Sequence, residues 1–121
     1  MGSRNVVVLG ASLKPERISN LAVKRLTDAG YSVTAIGRKS GKIGVTEVYD
    51  SPRPVAPTDT VTLYLNAANQ VPFYPYILGL KPARIIFNPG AENPELEALA
   101  VIKGIRCENV CTLVMLASGQ F

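Results

Sequence analysis

The chemistry in this chain concentrates in the stretch Gly10-Ala11-Ser12-Leu13-Lys14-Pro15-Glu16-Arg17-Ile18-Ser19-Asn20, which follows the apolar run Val6-Val7-Val8-Leu9. A glycine directly after a strand permits a tight turn, and a small residue behind it lets backbone approach a diphosphate. Amide N–H groups and the start of the next helix then supply partial positive charge. Only the first glycine of the G-x-G-x-x-G fingerprint is present. Ser12 stands in place of the second, and Lys14–Arg17 delays the helix. Taken alone, Gly10-Ala11-Ser12 also fits an ordinary strand-to-helix turn.

A second cluster reads Ile36-Gly37-Arg38-Lys39-Ser40-Gly41-Lys42. A nucleotide-binding unit that takes NAD places an Asp or Glu at this point to hold the ribose hydroxyls. Here there is no acid and there are three cations. That suits a ribose carrying a phosphate, as in coenzyme A (3′) or NADP (2′). A solvated basic turn is the plain alternative.

Catalytic machinery is harder to find. The chain has no histidine, which excludes a Ser-His-Asp triad, a Cys-His pair, phosphohistidine chemistry and His-ligated metal. Two cysteines, Cys107 and Cys111, are too few for a four-cysteine zinc site. Their apolar surroundings (Val110, Leu113, Val114, Met115, Leu116) point to buried structural thiols, although Cys111 is also a candidate reactive thiol. Glu92 fits a general base or a ligand contact, and equally an acid favouring the start of the next helix. Tyr74 and Tyr76, beside Pro72 and Pro75, pack on the sheet rather than on an adenine. No set of residues supplies nucleophile, base and oxyanion donor together. The expectation is binding without catalysis and no metal, with enzymatic activity left open.

Short strands alternating with helices must position these groups. The pattern predicts strands at Asn5–Leu9, Ser32–Ile36, Thr46–Tyr49, Thr60–Leu65 and Arg84–Phe87. It predicts one helix from Ile18 to Ala29 closed by Gly30, a short one within Val71–Leu80, and one over Pro94–Lys103 with Pro94 in its first turn. Ser51-Pro52-Arg53-Pro54-Val55-Ala56-Pro57 reads as a surface connection. Residues 105–116 read as a last strand with an apolar tail. This order predicts a parallel α/β sheet, whose ligands sit at the strands' carboxyl ends where strand order reverses.

Composition agrees. The chain has 121 residues, 47% apolar and 18% charged, an ordinary globular balance with room for one domain spanning residues 1–121. Residues 1–3 read as a disordered start or a cloning remnant. No apolar run approaches the ~20 residues of a membrane span, and no secretory signal opens the chain. Free thiols then suit a reducing cytoplasm. The net charge is +4, but residues 1–54 carry +5 and residues 55–121 carry −1. The basic half calls for an anionic partner. With no basic helix and no aromatic-basic interleaving, that partner is a phosphorylated small molecule rather than nucleic acid.

The stretch V-V-V-L-G-A-S-L-K-P-E-R-I-S-N-L-A-V-K-R-L, followed by A-G-Y, resembles the small stand-alone CoA-binding-domain proteins, relatives of the nucleotide-binding domain of succinyl-CoA synthetase alpha subunits. The resemblance runs through V-Y-D-S to N-P-G-A-E-N. It implies a Rossmann-like, doubly wound, mostly parallel sheet in a single three-layer α/β domain. It also implies CoA or acyl-CoA as ligand; NADP stays the alternative left by the basic turn. By that resemblance Gly10, Ala11, Ser12, Arg17, Ser19 and Asn20 line the diphosphate and its neighbours, Arg38 and Lys39 meet the adenosine phosphate, and Gly37 belongs with them among the cofactor-binding residues. Leu65 and Asn66 fall on the adenine side, and Gly90 belongs to the loop after the fifth strand. Two departures stand out: Gly37-Arg38-Lys39 replaces a common Asn-Pro, and Asn66–Pro72 lacks the usual charged or aromatic start. Two other readings stay open. One is an NAD(P)-linked redox protein. The other is an interaction subunit with a vestigial pocket, whose tail Thr112–Leu116 and Phe121 form a homodimer or partner-enzyme interface.

Overall fold

The computed structural model describes residues 4–121, so the expectation for residues 1–3 lies outside the described residues. In chain order it places β1 (Asn5–Ala11), α1 (Ile18–Asp28), β2 (Ser32–Gly37), β3 (Gly41–Ile43) and β4 (Thr46–Tyr49). These are followed by β5 (Thr60–Leu63), α2 (Ala67–Gln70), a 3₁₀ turn (Val71–Phe73), α3 (Tyr74–Gly79), β6 (Arg84–Phe87), α4 (Pro94–Ile102), β7 (Arg106–Glu108) and α5 (Thr112–Ala117). The strands form one sheet in the order β3-β4-β2-β1-β5-β6-β7. Every pairing is parallel except β3 with β4. This is the parallel α/β sheet that the residue pattern predicts, in the Rossmann-like, doubly wound, mostly parallel form that the resemblance implies. Order reverses between β1 and β5, and the carboxyl ends of the strands at such a point are where ligands of these sheets bind.

The period of two along each strand sorts side chains into two cores. Val7, Leu9, Val61, Leu63, Ile85 and Phe87 face one side with Ile77, Leu96 and Ala100 of the helices. Val6, Val8, Ala35 and Val48 face the other with Val23 and Leu26 of α1. Because β1 is covered on both faces, its run Val6–Leu9 is continuously apolar.

Three elements differ from the expectation. Gly41–Ile43 is an additional strand, paired antiparallel to Thr46–Tyr49 across Gly44-Val45. Gly44 carries the positive φ of 61° that a two-residue hairpin turn demands. The helical segment after β5 starts earlier, at Ala67, capped by Asn66. The apolar tail, to which the pattern assigns no element, is a helix: β7 closes the sheet edge, and Thr112 then starts α5 with its amide on the Asn88 side chain. Met115 and Thr112 are buried there, and Leu116 and Phe121 pack on the core, so most of the apolar tail is spent within the fold.

Candidate functional site

The loop after β1 is shaped by close backbone contacts. Gly10 has φ +96°, and a Cβ there would lie 3.0 Å from the Tyr64 carbonyl carbon and 3.1 Å from the Leu65 amide. The glycine therefore serves the seam between β1 and β5 as much as the turn. Gly37 has no room for a side chain either, since a Cβ would collide with the Ala11 carbonyl. At Gly41 a Cβ would meet Leu13 at 2.9 Å. The two clusters singled out in the sequence therefore lie against one another, with Leu65 on the opposite wall.

Within the loop, polar groups are tied inward. The Ser12 amide donates to Ser19 Oγ at 3.1 Å, Asn20 Nδ2 donates to the Ser12 carbonyl at 2.9 Å, and the Lys14 amide donates to Ser12 Oγ at 3.2 Å. Ser19 and Asn20 are buried, so they hold the loop from behind. Asn20 Oδ1 is buried and has no hydrogen-bond partner among the described residues. Arg17 occupies the N-cap of α1 with no side-chain cap, and the first turn carries no acid. That helix start keeps its positive end uncompensated. Ala11 is buried, Lys14 and Arg17 are exposed, and Arg38 and Lys39 are exposed. Among the described residues neither Arg38 nor Lys39 makes an ion pair, whereas Lys42 lies 3.6 Å from Glu47.

The far wall is a hydrogen-bonded clamp. Buried Gln70 donates from Nε2 to the Leu65 carbonyl at 2.8 Å and to the Ala91 carbonyl at 2.7 Å, joining the loops after β5 and β6. Asn93 Nδ2 donates to Gln70 Oε1, and Asn93 Oδ1 caps α4 at Leu96. Asn66 spends its side chain capping α2. Gly90 has φ +93°, and its amide donates to Glu92 Oε1 at 3.0 Å. Glu92 thus braces its own loop; the acids in the first turn of α4 are Glu95 and Glu97. Sequence reasoning passed over Gln70, for a lone glutamine in a weakly patterned segment carries no signal.

Beside this wall lies a buried polar row. Asn88 Nδ2 donates to Thr62 Oγ1 at 2.6 Å and to the Leu63 carbonyl at 2.8 Å, while Thr62 and Thr112 hydroxyls lie 2.8 Å apart. The Tyr64 hydroxyl is shut in against Thr112 and Thr62 without a well-formed hydrogen bond. Burial pushes its pKa up to about 12, with the nearby Cys111 thiol adding to the rise. Cys107 and Cys111 are free and half-buried rather than fully enclosed. Burial pushes the Cys107 thiol up, with Glu97 reinforcing it. Tyr74 donates to Glu95 and Tyr76 to the Arg53 carbonyl, and both pack against the core, as expected for structural aromatics. Among the described residues no cluster of potential ligands can hold a metal ion, and no helix is long and apolar enough to cross a membrane.

The model of the CoA binding domain matches residues 4–117, and the chain therefore belongs to that family. CoA binding in general comes with that membership. A crystal structure of an uncharacterised protein is 41% identical, superimposes with a TM-score of 0.93 and is covered, like this chain, over 100% of its length. A hypothetical protein from Pyrococcus horikoshii OT3 shares 21% identity at a TM-score of 0.86, over 96% of this chain and 83% of that one. A Thermus thermophilus protein shares 22% identity at a TM-score of 0.86, over 98% and 91%. The last two likenesses speak to the fold alone. No curated protein matches the chain.

Proposed function

We propose that this chain binds coenzyme A, free or acylated, across the carboxyl ends of β2, β1 and β5, without a reaction of its own. The observation that carries the reading is the pairing of a start of α1 with no side-chain cap and no acid in its first turn with Arg38 and Lys39, which make no ion pair among the described residues, on segments in contact through Gly37–Ala11 and Gly41–Leu13. The first feature suits a diphosphate and the second a further phosphate on the ribose. Gly10 and Ala11 keep the loop thin, Ser19 and Asn20 hold its shape, and the exposed Arg17 would hold the diphosphate. Leu65, Asn66 and Gly90 form the opposite lip. The ligand supplies a thioester-forming thiol; the protein's residues bind and orient it.

Calorimetric titration with CoA, dephospho-CoA and NADPH tests the reading. CoA should bind more tightly than dephospho-CoA by about tenfold, or ~1.4 kcal/mol. The double variant Arg38→Ala/Lys39→Ala should bring the two together. Equal affinities in the unaltered protein remove the role given to the basic turn. Tighter NADPH binding would transfer the site to the redox reading.

A further inference from the structure

The sheet face beneath α5 is unusually polar. On β5 and β6 that face presents Thr60, Thr62, Arg84, Ile86 and Asn88, the alternates of the apolar residues in the opposite core. α5 is six residues long and buries only Thr112 and Met115. Its polar fastenings lie at its two ends, with Met115 buried and Leu116 packed on the core between them. At the carboxyl edge of the sheet, Thr112 is held by Asn88 and Thr62. At the amino edge, the Phe121 carbonyl accepts from Arg4 Nη2 at 2.9 Å and Arg84 Nη2 at 2.8 Å. The Phe121 ring stands edge-on to Tyr31 at 5.0 Å, with the Arg84 guanidinium 4.4 Å from its centroid. The closed arrangement also shuts in the Tyr64 hydroxyl without a hydrogen bond. Lifting α5 would hydrate it.

We infer that residues 112–121 form a strap that detaches as a unit from this polar face, and that its docking is coupled to occupancy of the cleft through Thr112, Thr62 and Asn88. The strap's apolar contact is confined to Met115, Leu116 and Phe121, and the rest of what it uncovers on β5 and β6 is largely polar, so this segment opens before the core. The coupling follows from position: Tyr64 and Asn88 sit immediately before Leu65 and Gly90's loop, so whatever steadies those loops steadies the strap's anchor. Linkage makes the effect reciprocal. The coupled half rests on the CoA reading; the detachment half does not.

Hydrogen exchange followed residue by residue on the whole chain, free and saturated with CoA, tests both halves. Amides of residues 115–120, all hydrogen-bonded within residues 111–121, should exchange together, about tenfold or more faster than those of Val6–Leu9. Phe121→Ala should speed the strap by about fivefold again while leaving Val6–Leu9 unchanged, and CoA should slow it by about threefold or more. Strap amides that exchange in step with β1, or a Phe121→Ala variant that speeds β1 equally, overturn detachment. Unchanged strap exchange in protein shown calorimetrically to be CoA-bound overturns the coupling alone. Absence of CoA binding overturns the coupling together with the CoA reading, and detachment is then decided by the Phe121→Ala comparison.

Discussion

Tyr64 shows how one side chain sets a measurable pH dependence. Its phenol is neutral in both folded and unfolded chains below pH 10, so its contribution to stability is fully present there. Between the ordinary value of 10 and the folded value of about 12, only the unfolded chain ionises it, and stability falls as pH rises. From pH 8 to pH 11 this single group should account for ~1.4 kcal/mol of loss. Tyr64→Phe should abolish that portion in urea unfolding compared at the two pH values. At pH 8 the variant should match the unaltered protein or exceed it, since the substitution deletes a buried hydroxyl with no partner. An alkaline limb identical in the two proteins would show that the phenol is open to water. At the same scale, the sequence made Gly10 legible as a turn residue. The closeness of Gly37 to Ala11 was not legible, because a contact between strand ends leaves no trace in local pattern.

Among the elements, the loops after β5 and β6 owe their shape to one buried amide. Replacing Gln70 with Ala leaves the Leu65 and Ala91 carbonyls and an Asn93 N–H short of a partner inside the protein. At ~1–3 kcal/mol for each unsatisfied buried group, partly recovered by entering water, Gln70→Ala should cost about 3–4 kcal/mol in equilibrium unfolding. A loss below 1 kcal/mol would mean that the clamp is dispensable. The elements that sequence revealed are those with a period and a stop. β1 shows a buried run before Gly10, and α1 shows helical spacing before Gly30. α4 shows Pro94 and Gly104 as brackets. Those it hid lack both. β3 is three residues with a single buried side chain, Ile43, and draws its identity from pairing with β4. Thr112–Ala117 is an apolar run too short for periodicity to separate strand from helix; the Asn88 side chain on the Thr112 amide and the closed edge at β7 decide it. The same obscurity covered the far wall of the cleft, where Asn66 and Gln70 act through a short helix broken by Pro72 and Pro75.

For the molecule as a whole, the charge imbalance and the topology share one boundary. Residues 1–54 contain β1 to β4 and α1, which make one flank of the sheet, and residues 55–121 contain β5 to β7 with the remaining helices. The seam between the +5 flank and the −1 flank is therefore the β1–β5 reversal point itself. A ligand with phosphates at one end and a neutral arm at the other would be oriented by such a field, its phosphates toward β1 and β2. Screening should reveal it. Raising sodium chloride from about 0.05 M to 0.5 M shortens the Debye length to a few ångströms, which should weaken CoA binding by about tenfold and dephospho-CoA binding distinctly less. Lys103→Ala, on the other flank after α4, should leave both salt dependences unchanged, whereas Arg38→Ala should flatten the one for CoA. If the two ligands lose affinity in parallel, or if Lys103→Ala acts as Arg38→Ala does, the attraction belongs to net charge alone. The basic turn then has no particular claim on the ribose phosphate.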